Sequence, residues 1–432
     1  MKVCVIGLGY VGMTLSTVLA ENGFSVIGIE TSPTVISYLK NSKAHFFEPG
    51  LNDRLRKVID RGSFKFYDSL SEASELDDCS RYIITVGTPL DDQKRARMTM
   101  VRDVSEELSG YLKEDDLVIL RSTVVIGTTQ MLSDEYFNLP TRKVHVAFCP
   151  ERTLEGNALF EIRTLPQIVG GVNKESTDRA VHFFEDLTNA TIKVSSSETA
   201  ELIKLMDNSY RDAFFAFGNQ LAQLSDAIGL DAHEIVKSAN FGYPRTNLAF
   251  PGLVGGPCLS KDPIILSESV VPYGAQSSLS DAAREINVNT TLHVARIIAR
   301  VATERSHTRM LVTGLAFKGR PATDDLRGSP TLELLQLLQE LCPALEIKCH
   351  DFEIGSDVIE NKGMTSGKLN IDERFDILVI ANNHPRYSSL ENSLFEQILP
   401  AGGLLYDLWG VTKESWPKSG PNFTVMGLGW RL

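Results

Sequence analysis

The stretch Lys2-Val-Cys-Val-Ile-Gly7-Leu-Gly9-Tyr10-Val11-Gly12, followed by an apolar-periodic segment to Glu21 and then by Phe24-Ser-Val-Ile-Gly-Ile29-Glu30, reads as strand, glycine turn, helix and strand. Gly7 allows a tight turn, Gly9 lets a pyrophosphate approach backbone N–H groups, and Gly12 lets helix and strand pack closely. Glu30, at the end of the second strand, is placed to accept hydrogen bonds from an adenine ribose diol and to repel a 2′-phosphate. The expected cofactor is NAD rather than NADP.

Working outward, apolar runs at 82–86, 117–120 and 144–148 alternate with polar, helix-compatible segments, the pattern of a parallel sheet covered on both faces. Runs at 168–171 and 191–194 add the last strands of this first body. From 198 to 228 the pattern becomes a long helix without proline, and a second helical stretch covers 281–303. Residues 309–317 restart the strand-turn-helix alternation, with further apolar runs at 345–349, 375–380, 403–407 and 423–426 but no second GxGxxG. The expected fold is α/β, two Rossmann-like doubly wound domains (1–196 and 305–432) joined by a long central helical region (197–304).

Composition narrows the function classes. The 432-residue chain is 43% hydrophobic and 23% charged, ordinary for a globular protein. A net charge of -12 and a pI near 5.3 argue against a general partner of nucleic acid or of an anionic membrane, so an anionic ligand needs a local basic pocket. Neither a signal-peptide pattern nor an apolar run of about 18 residues occurs, and a cytoplasmic protein is expected. The six cysteines lack CxxC or Cys/His ligand spacing, so neither disulfides nor a metal centre is expected.

One cysteine stands out by context, Cys258 in Gly255-Gly256-Pro257-Cys258-Leu259-Ser260-Lys261-Asp262. A plain alcohol dehydrogenase needs no thiol, whereas one that takes an alcohol through an aldehyde to an acid holds a thiohemiacetal and then a thioester. The glycines permit close ligand approach, and Lys261 is expected to depress the thiol pKa. Alone, a cysteine among glycines is more often structural.

Other segments supply context. Lys204 and Asn208, four apart on one helix face, offer an ammonium and an amide to an oxyanion, although a solvated helix face has the same spacing. Glu151 and Glu155, in Cys149-Pro-Glu-Arg-Thr-Leu-Glu-Gly156, follow a strand end where doubly wound sheets bind ligands, and an exposed acidic loop is the other account. Ser122-Thr123 bring hydroxyls to the same sheet edge.

Together these segments resemble the UDP-glucose/GDP-mannose dehydrogenase family of nucleotide-sugar 6-dehydrogenases. The resemblance runs in order over nearly the whole chain: GLGYVG at 7–12, VGTP at 86–89, STVxxGT at 122–128, CPERTLEG at 149–156, KLxxN at 204–208, GGxCxxKD at 255–262, and GLAFK with DDLRGSP at 314–330. It implies an NAD domain, a helical dimerisation core and a domain that binds the UDP moiety. It further implies that Cys258 is the nucleophile, that Lys204 and Asn208 hold the substrate oxygen, and that Asp262, Thr123 and Glu151 order the hydrolytic water. Tyr10, Val11, Thr88, Thr123, Glu155, Lys261 and Arg327 fall on the cofactor side. Glu151, Arg152, Lys204, Asn208, Arg211, Arg245, Asn247, Gly255 and Lys318 fall on the substrate side. The expected reaction is a four-electron oxidation at C6 of a UDP-sugar, with a homodimer in which Arg245 reaches the partner's substrate.

The PER at 150–152, the NSYRD at 208–212 and the YPRTN at 243–247 are similar to the N-acetylhexosamine branch, which favours UDP-ManNAc or UDP-GlcNAc. Pro257, Lys261 and Val125 depart from that branch, and the loop from Lys318 to Arg327 is longer. UDP-glucose is the alternative substrate, followed by GDP-mannose. A two-electron hydroxyacid dehydrogenase needs neither Cys258 nor a second α/β domain, and a silent binding scaffold need not keep the full residue set.

Overall fold

A computed structural model describes residues 1–417 and 420–432. It divides the chain into two compact units, one of residues 1–208 with 264–277 and one of residues 209–263 with 278–432.

The first unit is an eight-stranded sheet: β1 (Lys2–Ile6), β2 (Ser25–Ile29), β3 (Phe64–Tyr67), β4 (Arg81–Ile84), β5 (Leu117–Leu120), β6 (His145–Phe148), β7 (Gln167–Gly171) and β8 (Thr191–Lys193). The strand order is β3-β2-β1-β4-β5-β6-β7-β8, so β1 and β4 flank the point where the order reverses and ligands bind doubly wound sheets. Alternate residues of β1 serve opposite layers, Val3 and Val5 packing in one hydrophobic cluster and Cys4 and Ile6 in another. Both faces are thus covered, which is why these strands are uninterrupted apolar runs. All pairings are parallel except β6 with β7. The sequence reading expected a parallel sheet. An apolar run buried on both faces looks the same in either direction, so the reversal carries no sequence signal.

The second unit repeats the order. Its strands are β9 (Arg309–Thr313), β10 (Glu346–His350), β11 (Thr365–Ser366), β12 (Ile377–Ile380), β13 (Leu404–Asp407), β14 (Thr424–Gly427) and β15 (Trp430–Arg431), arranged β11-β10-β9-β12-β13-β14-β15 with only β15 antiparallel. Met310 and Val312 pack on one face and Leu311 on the other.

The central helices span Ser197–Ile228 and Ser278–Glu304. The first passes from one unit into the other. Within the second unit the two helices are joined by polar contacts, Asn219 to Asn287 at 2.9 Å and Gln223 to Thr290 at 3.0 Å. Among the described residues no helix is long and apolar enough to cross a membrane.

Candidate active site

The β1 turn has the local geometry that a dinucleotide needs. Gly7 has φ +90°, and its N–H donates to Ile29 O at 2.8 Å. A Cβ on Gly12 would lie 1.9 Å from Gly7 O, whereas one on Gly9 would meet nothing within 4 Å. Helix and strand therefore touch at Gly12, and the chain stands open at Gly9, where a pyrophosphate would approach. No side chain caps the first turn of the helix Tyr10–Glu21, leaving that end to an anion.

Glu30 accepts from Leu8 N–H at 2.8 Å and from Ser32 N–H at 2.9 Å, one on each carboxylate oxygen. Each oxygen keeps a lone pair for a ribose hydroxyl. These residues fit NAD. Glu30→Ala is expected to raise the KM for NAD about tenfold, the value of one hydrogen bond to a charged acceptor, and to narrow the preference over NADP; steady-state kinetics with both cofactors checks this.

Tyr10 ties this turn to the loop after β6. Its hydroxyl donates to Glu48, which also accepts Gly156 N–H at 2.6 Å and Ala158 N–H at 2.9 Å. Burial and the hydrogen bond to Glu48 push the Tyr10 phenol far above its ordinary value. Glu155 stands beside this lock and adds to the negative field on Tyr10.

The ends of β4, β5 and β6 bring the next residues to one edge. Thr88 donates to Thr123 O at 2.6 Å and Ser122 to Val86 O at 2.7 Å. Glu151 is buried in an ion pair with Arg121, and its other oxygen accepts Arg152 N–H and Thr153 N–H, both at 2.8 Å. Burial pushes the Glu151 carboxyl up, but Arg121, the Thr153 N–H and Lys204 more than offset this and hold it below the usual carboxylate range. Both carboxylate oxygens are thus held, unlike those of a free acid in an exposed loop, and one acceptor position remains on the oxygen that Arg121 bonds. Arg152 reaches Pro166 O at 2.8 Å and lies 3.5 Å from Asp207.

From the helix Ser197–Ile228, Lys204 donates to the backbone carbonyl of Glu151, and both Lys204 and Asn208 are buried. A solvated face does not describe them. One turn earlier, buried Glu201 accepts Gly127 N–H at 2.6 Å, Thr129 N–H at 2.8 Å and the Thr129 hydroxyl at 2.6 Å, which fastens this helix to the loop after β5. Burial raises the Glu201 carboxyl to about 7.

The second unit carries the remaining residues. Cys258 is exposed in the short helix Gly256–Leu259, while Cys4, Cys79, Cys149 and Cys349 are buried and Cys342 partly so. The Lys261 ammonium bonds Asp262 at 2.6 Å, and Asp262 is fully buried. Lys261 was expected to depress the thiol pKa; in the structure its charge is matched locally by its neighbour. Arg211 and Asn247 are exposed, and Arg245 stacks on Tyr243 at 4.6 Å in an exposed loop.

In the second sheet, the Gly314 turn repeats the Gly7 geometry without the glycine fingerprint. Gly314 has φ +91° and donates to His350 O at 3.0 Å. Asp351 accepts Leu315 N–H at 2.7 Å and Ala316 N–H at 3.1 Å, the position Glu30 holds in the first sheet. Lys318 lies 5.2 Å over the Phe317 ring, and Arg327 forms a two-pronged pair with Asp325.

Arg121 and Glu48, like Glu201, escaped the sequence reading. Arg121 directly precedes Ser122 at a strand end, and Glu48 stands before Pro49-Gly50, but neither has a partner nearby in sequence. At the opposite edge of the first sheet, a cleft of about 700 Å³ includes Asp115 and Glu175, which approach His145. Lys143 and Arg179 already pair with those carboxylates, so their charge is met without a cation.

Three family models match the chain. They describe the NAD binding domain of the UDP-glucose/GDP-mannose dehydrogenase family over residues 1–188, its central domain over 198–289 and its UDP binding domain over 311–414. A UDP-N-acetyl-D-mannosamine dehydrogenase of Methanococcus vannielii is 30% identical over 99% of this chain and 97% of that protein. An NDP-N-acetyl-D-galactosaminuronic acid dehydrogenase of Ralstonia nicotianae is 29% identical over 90% of this chain and 92% of that protein. The solved structure of a UDP-D-ManNAc dehydrogenase from Pyrococcus horikoshii superposes with a TM-score of 0.84 at 26% identity, covering 99% of both chains. With the dinucleotide turn, the duplicated sheet and the cysteine segment all in their places, the chain belongs to the UDP-glucose/GDP-mannose dehydrogenase family and is an NAD-dependent nucleotide-sugar dehydrogenase.

Proposed function

We propose that the chain oxidises the C6 hydroxyl of a UDP-N-acetylhexosamine, UDP-ManNAc or UDP-GlcNAc, to the uronic acid for polysaccharide precursor synthesis. The observation that carries the sugar assignment is the full-length similarity to UDP-N-acetyl-D-mannosamine dehydrogenases, supported by the NSYRD and YPRTN segments.

NAD, when bound, accepts hydride in both oxidations, alcohol to aldehyde and thiohemiacetal to thioester. Cys258 forms the C–S bond to the C6 aldehyde, whose carbonyl electron pair moves to oxygen and takes a proton. Lys204 and Asn208, both buried donors, hold that oxygen, where a low-dielectric setting strengthens them. Asp262, Thr123 and Glu151 order the water that adds to the thioester, so that the C–S bond breaks and the thiolate leaves. Glu151 does this as a fixed anion, its carboxylate already held by Arg121.

Thr88, Glu155, Lys261 and Arg327 stay assigned to the cofactor side. Arg152, Arg211, Asn247, Gly255 and Lys318 stay on the sugar-nucleotide side. A division into an NAD domain (1–196), a helical dimerisation region (197–304) and a UDP-sugar domain (305–432) accompanies this reading. A homodimer is supported by Met206, Tyr210, Phe217, Leu224 and Ile228, exposed along one helix at helical spacing, and Arg245 is assigned across that interface. Six free cysteines fit a reducing, cytoplasmic setting.

At limiting sugar, UDP-ManNAc or UDP-GlcNAc is expected to yield about two NADH per sugar, the count that oxidation through a covalent aldehyde requires. One NADH overturns the four-electron reading; two from UDP-glucose alone replaces the sugar.

A further inference from the structure

The turn that carries Cys258 has little conformational preference of its own. Gly256 sits at φ +92°, where few other residues settle, and its N–H donates to Gly328 O at 2.8 Å. What brackets the cysteine is an arginine distant in sequence. Arg284, from the helix Ser278–Glu304, donates through Nη1 to Leu259 O at 2.8 Å and through Nη2 to Val254 O at 3.3 Å. One planar guanidinium thus grips a carbonyl on each side of Cys258.

Arg284 is itself held. Its Nη1 also donates to Asp212 Oδ1 at 2.8 Å, and Asp212 is fully buried. Asn287 Nδ2 reaches the same oxygen at 2.8 Å and Asp212 O at 2.9 Å. Burial pulls the guanidinium below its usual value, against the attraction of Asp212 and Glu333, and burial likewise raises the Asp212 carboxyl. Stability alone explains such a pair poorly, since apolar residues of the same volume often stabilise as well or better.

We propose that Arg284 is a positioning residue for Cys258, holding the Val254 and Leu259 carbonyls so that the thiol stands at the aldehyde carbon, with Asp212 as the counter-ion that aims the guanidinium. This rests on the reading of Cys258 as the nucleophile. The first hydride transfer precedes formation of the C–S bond and does not need the thiol. Capture of the aldehyde does, and a misplacement of roughly 1 Å costs about 100-fold.

The test uses the full chain with NAD and the UDP-N-acetylhexosamine that the wild type oxidises. Arg284→Lys keeps a charge beside Asp212 but cannot span two carbonyls as a fork does. It is expected to form the first NADH within about twofold of the wild-type rate, to form acid about 100-fold more slowly, and to release aldehyde that a hydrazine reagent traps, with KM little changed. Asp212→Asn is expected to give the same partition, and it serves as the second variant if Arg284→Lys folds poorly. Acid at the wild-type rate from both variants overturns the proposal, as does a proportional loss of both steps, the mark of a merely structural pair. Cys258→Ser run in parallel separates the two failures: if it too makes acid at the wild-type rate, the cysteine reading falls, and if only the Arg284 and Asp212 variants do, the positioning role alone falls.

Discussion

Cys258→Ser is expected to lower acid release by on the order of 10⁶, the scale lost when a covalent nucleophile is removed, while NADH still forms, one per active site if the reaction stops at the aldehyde and two if it stops at an ester. A serine alkoxide is harder to generate than a thiolate and is a poorer leaving group, so the reaction stalls at the aldehyde or at a slowly hydrolysed ester. NADH counted at limiting sugar, together with the intact mass of the protein, distinguishes those two stalls. Alkylation is expected to mimic the substitution, because Cys258 is the exposed cysteine while Cys4, Cys79, Cys149 and Cys349 are buried. Full turnover in the variant removes the cysteine from the mechanism.

Arg121→Met is expected to cost about 3–5 kcal/mol, the penalty for leaving a buried partner charge uncompensated. The melting temperature of a body this size should fall by roughly 10 °C. Glu151 is left with the Arg152 and Thr153 N–H groups but without its guanidinium. The pH dependence should change sign. In the native protein the Glu151 carboxyl lies below its usual range, so the pair contributes stability above the ordinary carboxylate pKa and loses it as pH falls through the folded value. Without Arg121, burial dominates and lifts the carboxyl, so the variant loses stability as pH rises. Thermal melts between about pH 4 and 8 should show the deficit shrinking toward the acid end. A constant deficit means that Glu151 does not carry the effect. Because Lys204 donates to the carbonyl of the same residue, activity should fall as well.

Much of this architecture was legible before any coordinates. A buried parallel strand must be apolar throughout, and a pyrophosphate turn must have glycine where helix and strand touch, so residues 2–30 announced the first sheet and its cofactor. The second sheet was legible as strand alternation, yet its acidic residue at Asp351 was not, because the Gly314 turn reproduces the Gly7 geometry with different spacing. The residues that carry chemistry stood out by type and motif. Their partners did not, since Arg121, Glu48, Glu201 and Arg284 are ordinary charged residues that acquire meaning only from what they meet.

The sequence by itself determined the α/β class, the repeated strand-helix alternation, the preference for NAD and the candidate nucleophile, because each depends on local periodicity or on a short motif whose residues are neighbours along the chain. Only the tertiary structure decided that β7 runs against β6, that Glu151 is a fixed anion, and that Arg284 brackets Cys258. Strand direction and buried charge pairing are set by groups tens of residues apart, and a one-dimensional pattern holds no record of which buried cation meets which carbonyl or carboxylate.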